Sequence, residues 1–114
     1  MSGLLWIVLE AHNASENHHR RYEVLVGRDL LCDWSVTIRY GRAGHGLRET
    51  QFGGGDAESL QRLVRRRLGR RGTAQTRIGC DYRVREFVVD PDLDPSDWLP
   101  ERIADELRSG QGQS

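Results

Sequence analysis

The chain of 114 residues is long enough for one domain with a modest hydrophobic core, since 37% of its residues are hydrophobic. The formal net charge is zero, but residues 20–85 hold 15 arginines and 7 acidic residues, a net charge of +8, whereas residues 86–114 hold 2 arginines and 8 acidic residues, a net charge of −6. This asymmetry suggests a nucleic-acid or acidic partner, although an acidic tail packed on the basic body would also produce it.

The first apolar segment, residues 4–9, is rich in β-forming residues and predicts a first strand. The run is too short for a secretory signal peptide and far too short to cross a bilayer. We therefore expect a cytoplasmic protein with no membrane partner, in which Cys32 and Cys80 are free thiols. The sequence does not predict the oligomeric state; if an exposed strand pairs two copies, residues 4–9 are the candidate edge.

The next strands are indicated by side chains that alternate between apolar and polar along the chain. Residues 20–28 show this pattern, as do residues 34–39. Gly44 and Gly46 then supply the backbone freedom that a tight reversal needs, and residues 47–52 resume as a strand. The four strands are predicted to form a meander of antiparallel neighbours.

Residues 56–71 form the clearest predicted helix, with Asp56 as a suitable N-cap. Apolar side chains recur at helical spacing on the face that should pack on the sheet: Ala57, Leu60, Val64 and Leu68. Arg62, Arg66 and Arg70 are spaced four apart on the opposite face, where like charges repel by about 0.2–0.5 kcal/mol per pair. A counter-anion would relieve this repulsion, but the pattern favours a solvated face over a binding stripe.

The C-terminal part of the chain predicts a strand near residues 82–89 and a short helix over residues 96–107. Pro91 and Pro95 separate the two, because proline removes a backbone donor. The fold class expected is therefore α+β: an antiparallel sheet of about four or five strands, one main helix packed on a face, and a short C-terminal helix.

Three regions are predicted along the chain. Residues 1–89 would form the domain, residues 90–108 an acidic extension with the short helix, and residues 109–114 a disordered tail.

Several short motifs follow one another within residues 4–72. They are Arg21-Tyr22-Glu23, Asp29-Leu30-Leu31-Cys32-Asp33-Trp34, Arg39-Tyr40-Gly41-Arg42-Ala43-Gly44, the following Gly46, Arg48, Thr50 and Phe52, and the helix end Arg70-Arg71-Gly72. Together they resemble the WGR domain, which is named for a Trp-Gly-Arg tripeptide and occurs in poly(ADP-ribose) polymerases and many bacterial proteins. Tyr40 stands where the family has Trp, and Thr73 stands where it has Tyr.

The arginines and the aromatic ring of the hairpin suit a sugar-phosphate partner, and the resemblance implies binding to DNA ends or breaks. The candidate nucleic-acid-binding residues are Arg39, Tyr40, Arg42, Arg48, Arg62, Arg66 and Arg70, with DNA expected rather than RNA. A stacked base is worth ~1–3 kcal/mol, and each neutralised phosphate adds salt-dependent affinity. Such contacts position a nucleic acid without reading its sequence. The same residues fit a structural interpretation, in which Tyr40 is half-buried and the arginines are solvated.

A stand-alone protein-interaction adaptor that docks on a partner enzyme is the alternative function. Its docking element would lie in residues 90–106, where Trp98, Leu99 and Ile103 accompany the acidic side chains, although Trp98 taken by itself favours a packing role. The same segment could instead fold back over the basic face, in which case removal of residues 90–114 should raise affinity for DNA.

An enzyme is the least favoured class. The four histidines (His12, His18, His19 and His45) lack the spacing of a metal site, and no local motif provides an activated nucleophile. The glycine-rich stretches 44–46 and 53–55 lack the Lys-Ser/Thr pair of a phosphate-binding loop. We therefore expect no catalytic residue, no metal and no cofactor.

Overall fold

A computed structural model of the protein describes residues 4–13, 18–28, 33–42, 44–53, 56–72 and 82–111. In this part of the chain the elements are β1 (Leu5–Asn13), β2 (His18–Arg28), β3 (Trp34–Arg42), β4 (Arg48–Gly53), α1 (Ala57–Gly72), β5 (Tyr82–Val89), a 3₁₀ turn (Pro95–Asp97) and α2 (Glu101–Gln111). The predicted α+β class is confirmed. Cys32 and Cys80, which we expect to be free thiols, lie outside the described residues.

The described strands form one antiparallel sheet in the order β4-β3-β2-β1-β5. The first four strands make the predicted meander, and β5 returns to pair with the free side of β1. The prediction that residues 4–9 form a sheet edge is therefore wrong. The reason lies in their apolar side chains: Ile7 and Val8 point to opposite faces and both are fully buried, as is typical of an interior strand.

Strand alternation gives the sheet two unlike faces. The first, which we call the helix-covered face, carries the apolar phase of each strand and packs beneath α1 and α2. Its buried side chains are Leu5, Ile7, Leu9, Tyr22, Val24, Val26, Val36 and Ile38. The second, which we call the ion-pair face, carries the polar phase and contains Glu10, Arg21, Glu23, Arg39 and Glu49.

Helix α1 is positioned by its cap and by its apolar stripe. The backbone N–H of Ser59 donates to Oδ1 of Asp56 at 2.8 Å, which confirms Asp56 as the N-cap. Leu60, Val64 and Leu68 are buried against the sheet, as the helical spacing predicts. The C-terminal half of the helix lies above the helix-covered face, with Arg67 over the Phe52 ring of β4 and Arg71 over the Tyr22 ring of β2.

The segment after β5 is fastened to the start of β1. The backbone N–H of Asp90 donates to the carbonyl of Leu4 at 2.9 Å, and the N–H of Leu4 donates to Oδ2 of Asp90 at 3.0 Å. The helix predicted over residues 96–107 is divided into the 3₁₀ turn and α2, because Pro100 has no N–H with which to continue a helix from Pro95. Helix α2 continues to Gln111, through the first three residues of the segment for which we expect disorder.

The acidic extension is part of the hydrophobic core. Trp98 is 1% exposed, and its ring lies 5.2 Å from the ring of Trp34. Leu99 and Ile103 are also buried in the same cluster. These three side chains are consequently not the docking element that the adaptor hypothesis assigned to them. Removal of residues 90–114 would open the core, so it does not test whether the extension masks a DNA-binding face.

Candidate nucleic-acid interface

The four candidate residues of the hairpin formed by β3 and β4 lie on two different faces of the sheet. In the register of the two strands Arg39 is opposite Glu49 and Tyr40 is opposite Arg48. Because successive side chains point to opposite faces, Arg39 lies on the ion-pair face. Tyr40, Arg42 and Arg48 lie together on the helix-covered face, beyond the end of the buried apolar rows.

The turn between the strands depends on two glycines. Gly44 has a φ angle of 85° and Gly41 has one of 154°, values that residues other than glycine rarely adopt. A Cβ at Gly41 would lie 3.3 Å from Cδ2 of Leu47. Gly41 thus lets the chain pass close to Leu47 while Tyr40 and Arg42, on either side of it, project to the same face.

The ion-pair face carries a chain of alternating charges across the sheet. Glu10 lies 3.3 Å from both Arg85 on β5 and Arg21 on β2, and Arg21 lies 3.2 Å from Glu23. The Glu23 carboxylate, which is almost buried, also accepts a hydrogen bond from Nε1 of Trp6 at 3.2 Å. Positive and negative groups therefore neutralise one another on this face.

Arg39 belongs to this chain of charges. Its guanidinium lies 3.7 Å from Glu23 and 3.6 Å from Glu49. A phosphate that approached Arg39 would compete with two carboxylates already in place. The geometry thus separates Arg39 from the other three hairpin candidates.

On the helix-covered face, four exposed or half-buried residues form what we call the Tyr40 cluster: Arg20, Tyr40, Arg42 and Arg48. Arg20 on β2 is directly opposite Arg42 on β3. Like charges in this position are destabilising, and none of the three arginines forms an ion pair with another described residue. Unlike the ion-pair face, the cluster concentrates positive charge around a half-buried aromatic ring.

The Tyr40 cluster rests on a second tyrosine and on the end of α1. The rings of Tyr22 and Tyr40 lie 6.2 Å apart, and the guanidinium of Arg71 stacks over the Tyr22 ring at 4.0 Å. The guanidinium of Arg67 lies 5.6 Å from the ring of Phe52. Two helix arginines therefore extend the positive surface of the cluster, held in place by cation–π contacts.

The Tyr22 hydroxyl is buried and has no hydrogen-bond partner among the described residues. Burial raises its pKa above the ordinary value of 10.0, while the positive charges of Arg71 and Arg67 oppose the shift. The hydroxyl therefore stays neutral at physiological pH.

The three helix candidates face solvent. Arg62 donates to Glu58 at 3.2 Å and to the hydroxyl of Ser59 at 3.4 Å, so its charge is partly neutralised. Arg66 and Arg70 are exposed, and Arg66 forms no ion pair within the described part of the chain. Arg62 therefore lies on a solvated, ion-paired face of α1, as the spacing of the helix arginines favours.

No family model, curated protein or solved structure matches this chain. The function proposed for the chain therefore rests on the geometry of the described residues and on the sequence motifs.

No helix among the described residues is long and apolar enough to cross a membrane. No group of three or more His, Cys, Asp or Glu side chains in the described ranges could hold a metal ion.

Sequence reasoning missed three contributors to the cluster: Arg20, Tyr22 and Arg71. Arg20 is in phase with Tyr22 in the alternating pattern of β2, so extending the apolar phase by two residues would have placed it on this face. Arg71 is three residues after Leu68, which puts it on the sheet-facing side of α1. The register of β2 against β3, which sets Arg20 opposite Arg42, carries no local signal, although the meander itself is predicted.

Proposed function

We propose that the protein is a non-catalytic nucleic-acid-binding module that contacts sugar-phosphate through the Tyr40 cluster. The observation that carries this proposal is the contrast between the two faces of one hairpin. Arg39 is held by carboxylates on the ion-pair face, whereas Arg42 and Arg48 have no acidic partner among the described residues. A bound anion would supply the negative charge that this cluster lacks.

The chemistry of the cluster suits a backbone rather than a base sequence. Guanidinium groups present planar donors to phosphate oxygens, and the exposed part of the Tyr40 ring can stack on a sugar or a base. Contacts of this kind fix the position of a nucleic acid but carry no direct sequence information. We therefore expect little sequence preference. The resemblance to the WGR domain supports DNA over RNA and a preference for DNA ends.

Helix α1 supplies the second part of the proposed surface. Arg71 is beside the cluster through its contact with Tyr22, and Arg66 and Arg70 are exposed on the same helix. Arg62 contributes less, since Glu58 already partly neutralises it. We expect the helix arginines to add salt-dependent affinity to contacts that the hairpin makes.

Binding to a short labelled duplex with free ends tests the proposal. Arg42→Gln and Arg39→Gln are matched variants, because each removes one positive charge from β3 and they differ in the face of the sheet. Arg42→Gln should weaken binding and lower the slope of log affinity against log salt by roughly 1. Arg39→Gln should leave the slope unchanged. Equal losses in both variants, or no binding at low salt by folded protein, would contradict the proposal.

A protein-interaction adaptor is the second candidate function, and one observation favours it. Leu25 and Val88 are 40% and 47% exposed, and both pair with Trp6 on the ion-pair face. This apolar patch could receive a protein partner. Such binding should change little with salt and should be lost in Leu25→Ser/Val88→Ser, whereas nucleic-acid binding should keep its salt dependence in that variant.

A further inference from the structure

The two edges of the sheet are protected unequally. At the β5 edge, the backbone N–H of Val84 donates to the Glu106 carboxylate of α2 at 2.7 Å. The pairing of β5 with β1 is also irregular between Val8 and Leu9, and a bulge discourages further pairing. Helix α2 and the bulge together hinder the pairing of another strand with this edge.

The β4 edge has none of these protections. Strand β4 is six residues long and pairs regularly with β3, without a bulge. Its sequence contains no proline, and its two charged side chains, Arg48 and Glu49, both lie at its N-terminal end. Residues 48–51 are exposed, and among the described strands only β3 pairs with β4. The outer backbone groups of β4 thus form a template for another strand.

We propose that the occupant of this edge is a second copy of the chain, paired antiparallel through β4 about a two-fold axis at Thr50. Pairs across such an axis must lie on the same face of the sheet. The register centred on Thr50 joins Thr50 to its own copy, Glu49 to Gln51, and Arg48 to Phe52. A threonine pair is favourable across neighbouring strands, a carboxylate accepts hydrogen bonds from an amide, and an arginine is attracted to the face of an aromatic ring.

The neighbouring registers fit less well. A shift of the axis to residue 49 places Glu49 opposite its own copy, and like charges directly opposite are destabilising. A shift to Gln51 places Glu49 opposite Gly53, where it has no side chain to contact. The β4 sequence therefore favours the register in which each charged side chain has a complementary neighbour.

The symmetry of this dimer has a consequence for the proposed nucleic-acid surface. An axis perpendicular to the sheet keeps the helix-covered faces of both copies on the same side. The two Tyr40 clusters would then flank the junction, each with its Arg48 at the shared edge. The dimer itself rests on the β4 edge alone and does not depend on nucleic-acid binding.

Sedimentation equilibrium over a range of protein concentrations tests the dimer, with Thr50→Lys and Thr50→Glu as variants. Thr50 is exposed, so both substitutions should leave the monomer folded, as circular dichroism will check. The wild type should dimerise reversibly. Each variant alone should be monomeric, because the axis would bring two like charges together. An equimolar mixture of the two should recover a heterodimer through the opposed lysine and glutamate.

Other results would overturn the proposal. If the wild type stays monomeric up to its solubility limit, a second copy of the chain does not occupy the β4 edge. A dimer that persists in both variants would place the contact on another surface. If either variant fails to fold, hydrogen exchange of the wild type decides: β4 amides should gain protection as concentration rises, and constant protection would contradict the pairing.

Discussion

Trp98→Ala is predicted to destabilise the protein strongly, because the acidic extension supplies core side chains rather than a removable tail. Trp98 is almost completely buried and packs on Trp34. Its replacement by alanine would leave a cavity between the sheet and the 3₁₀ turn. Changes of this kind cost about 3–5 kcal/mol, a large part of the roughly 5–15 kcal/mol by which a domain of this size is stable.

Truncation after Val89 should have a larger effect. It removes four buried side chains of the core cluster: Leu93, Trp98, Leu99 and Ile103. At about 1.5–3 kcal/mol for each buried side chain, the loss is on the order of 6–12 kcal/mol. The truncated chain should therefore be unfolded or only partly folded, and it should not bind DNA more tightly than the full chain.

Urea unfolding followed by fluorescence and circular dichroism measures both effects. Val88→Ala is the control, because Val88 is 47% exposed and exposed substitutions usually change stability by about 0.5 kcal/mol or less. A loss of less than about 1 kcal/mol in Trp98→Ala, the cost of a typical substitution, would refute this role of the acidic extension. A cooperative unfolding transition of the truncated chain at wild-type denaturant concentrations would refute it equally.

Three further predictions concern single groups. Glu23→Ala should cost about 1–3 kcal/mol in urea unfolding, because it leaves the Trp6 N–H without its acceptor and removes one carboxylate partner each from Arg21 and Arg39. Asp56→Ala should lower the melting temperature at neutral pH. Hydrogen bonds from the Ser59 side chain and backbone lower the Asp56 pKa, so the cap contribution is complete above the unfolded pKa and the wild-type advantage should vanish as pH falls through the folded value. The Tyr22 hydroxyl should titrate above an ordinary tyrosine in ultraviolet absorbance, assigned by its loss in Tyr22→Phe, and stability should fall as pH rises through that range.

Local sequence patterns were sufficient to predict much of the fold. Alternation located the strands, and Asp56 followed by a helical stripe located α1. The pairing of β5 with β1 carries no comparable signal, since the two strands are far apart in the chain. For that reason the sequence predicts residues 4–9 as an edge strand. It also leaves the role of Trp98 open between packing and docking.

The candidate site shows the same division between local and long-range information. Alternation alone places Arg39 on a different face from Tyr40, although the sequence motif groups them together. The pairing of Arg20 with Arg42 depends on the β2–β3 register, and the contact of Arg71 with Tyr22 depends on how α1 packs. Neither can be derived from spacing along one element.

The salt dependence of DNA binding in two charge-matched triple variants tests whether the Tyr40 cluster holds the nucleic acid. One variant replaces the arginines of the Tyr40 cluster with glutamine: Arg20, Arg42 and Arg48. The other replaces three exposed, ion-paired arginines elsewhere: Arg39, Arg85 and Arg108. The first should lower the slope of log affinity against log salt by roughly 2–3, at about 0.9 per phosphate, and the second should leave it near the wild-type value. Equal slopes in the two variants would contradict the account.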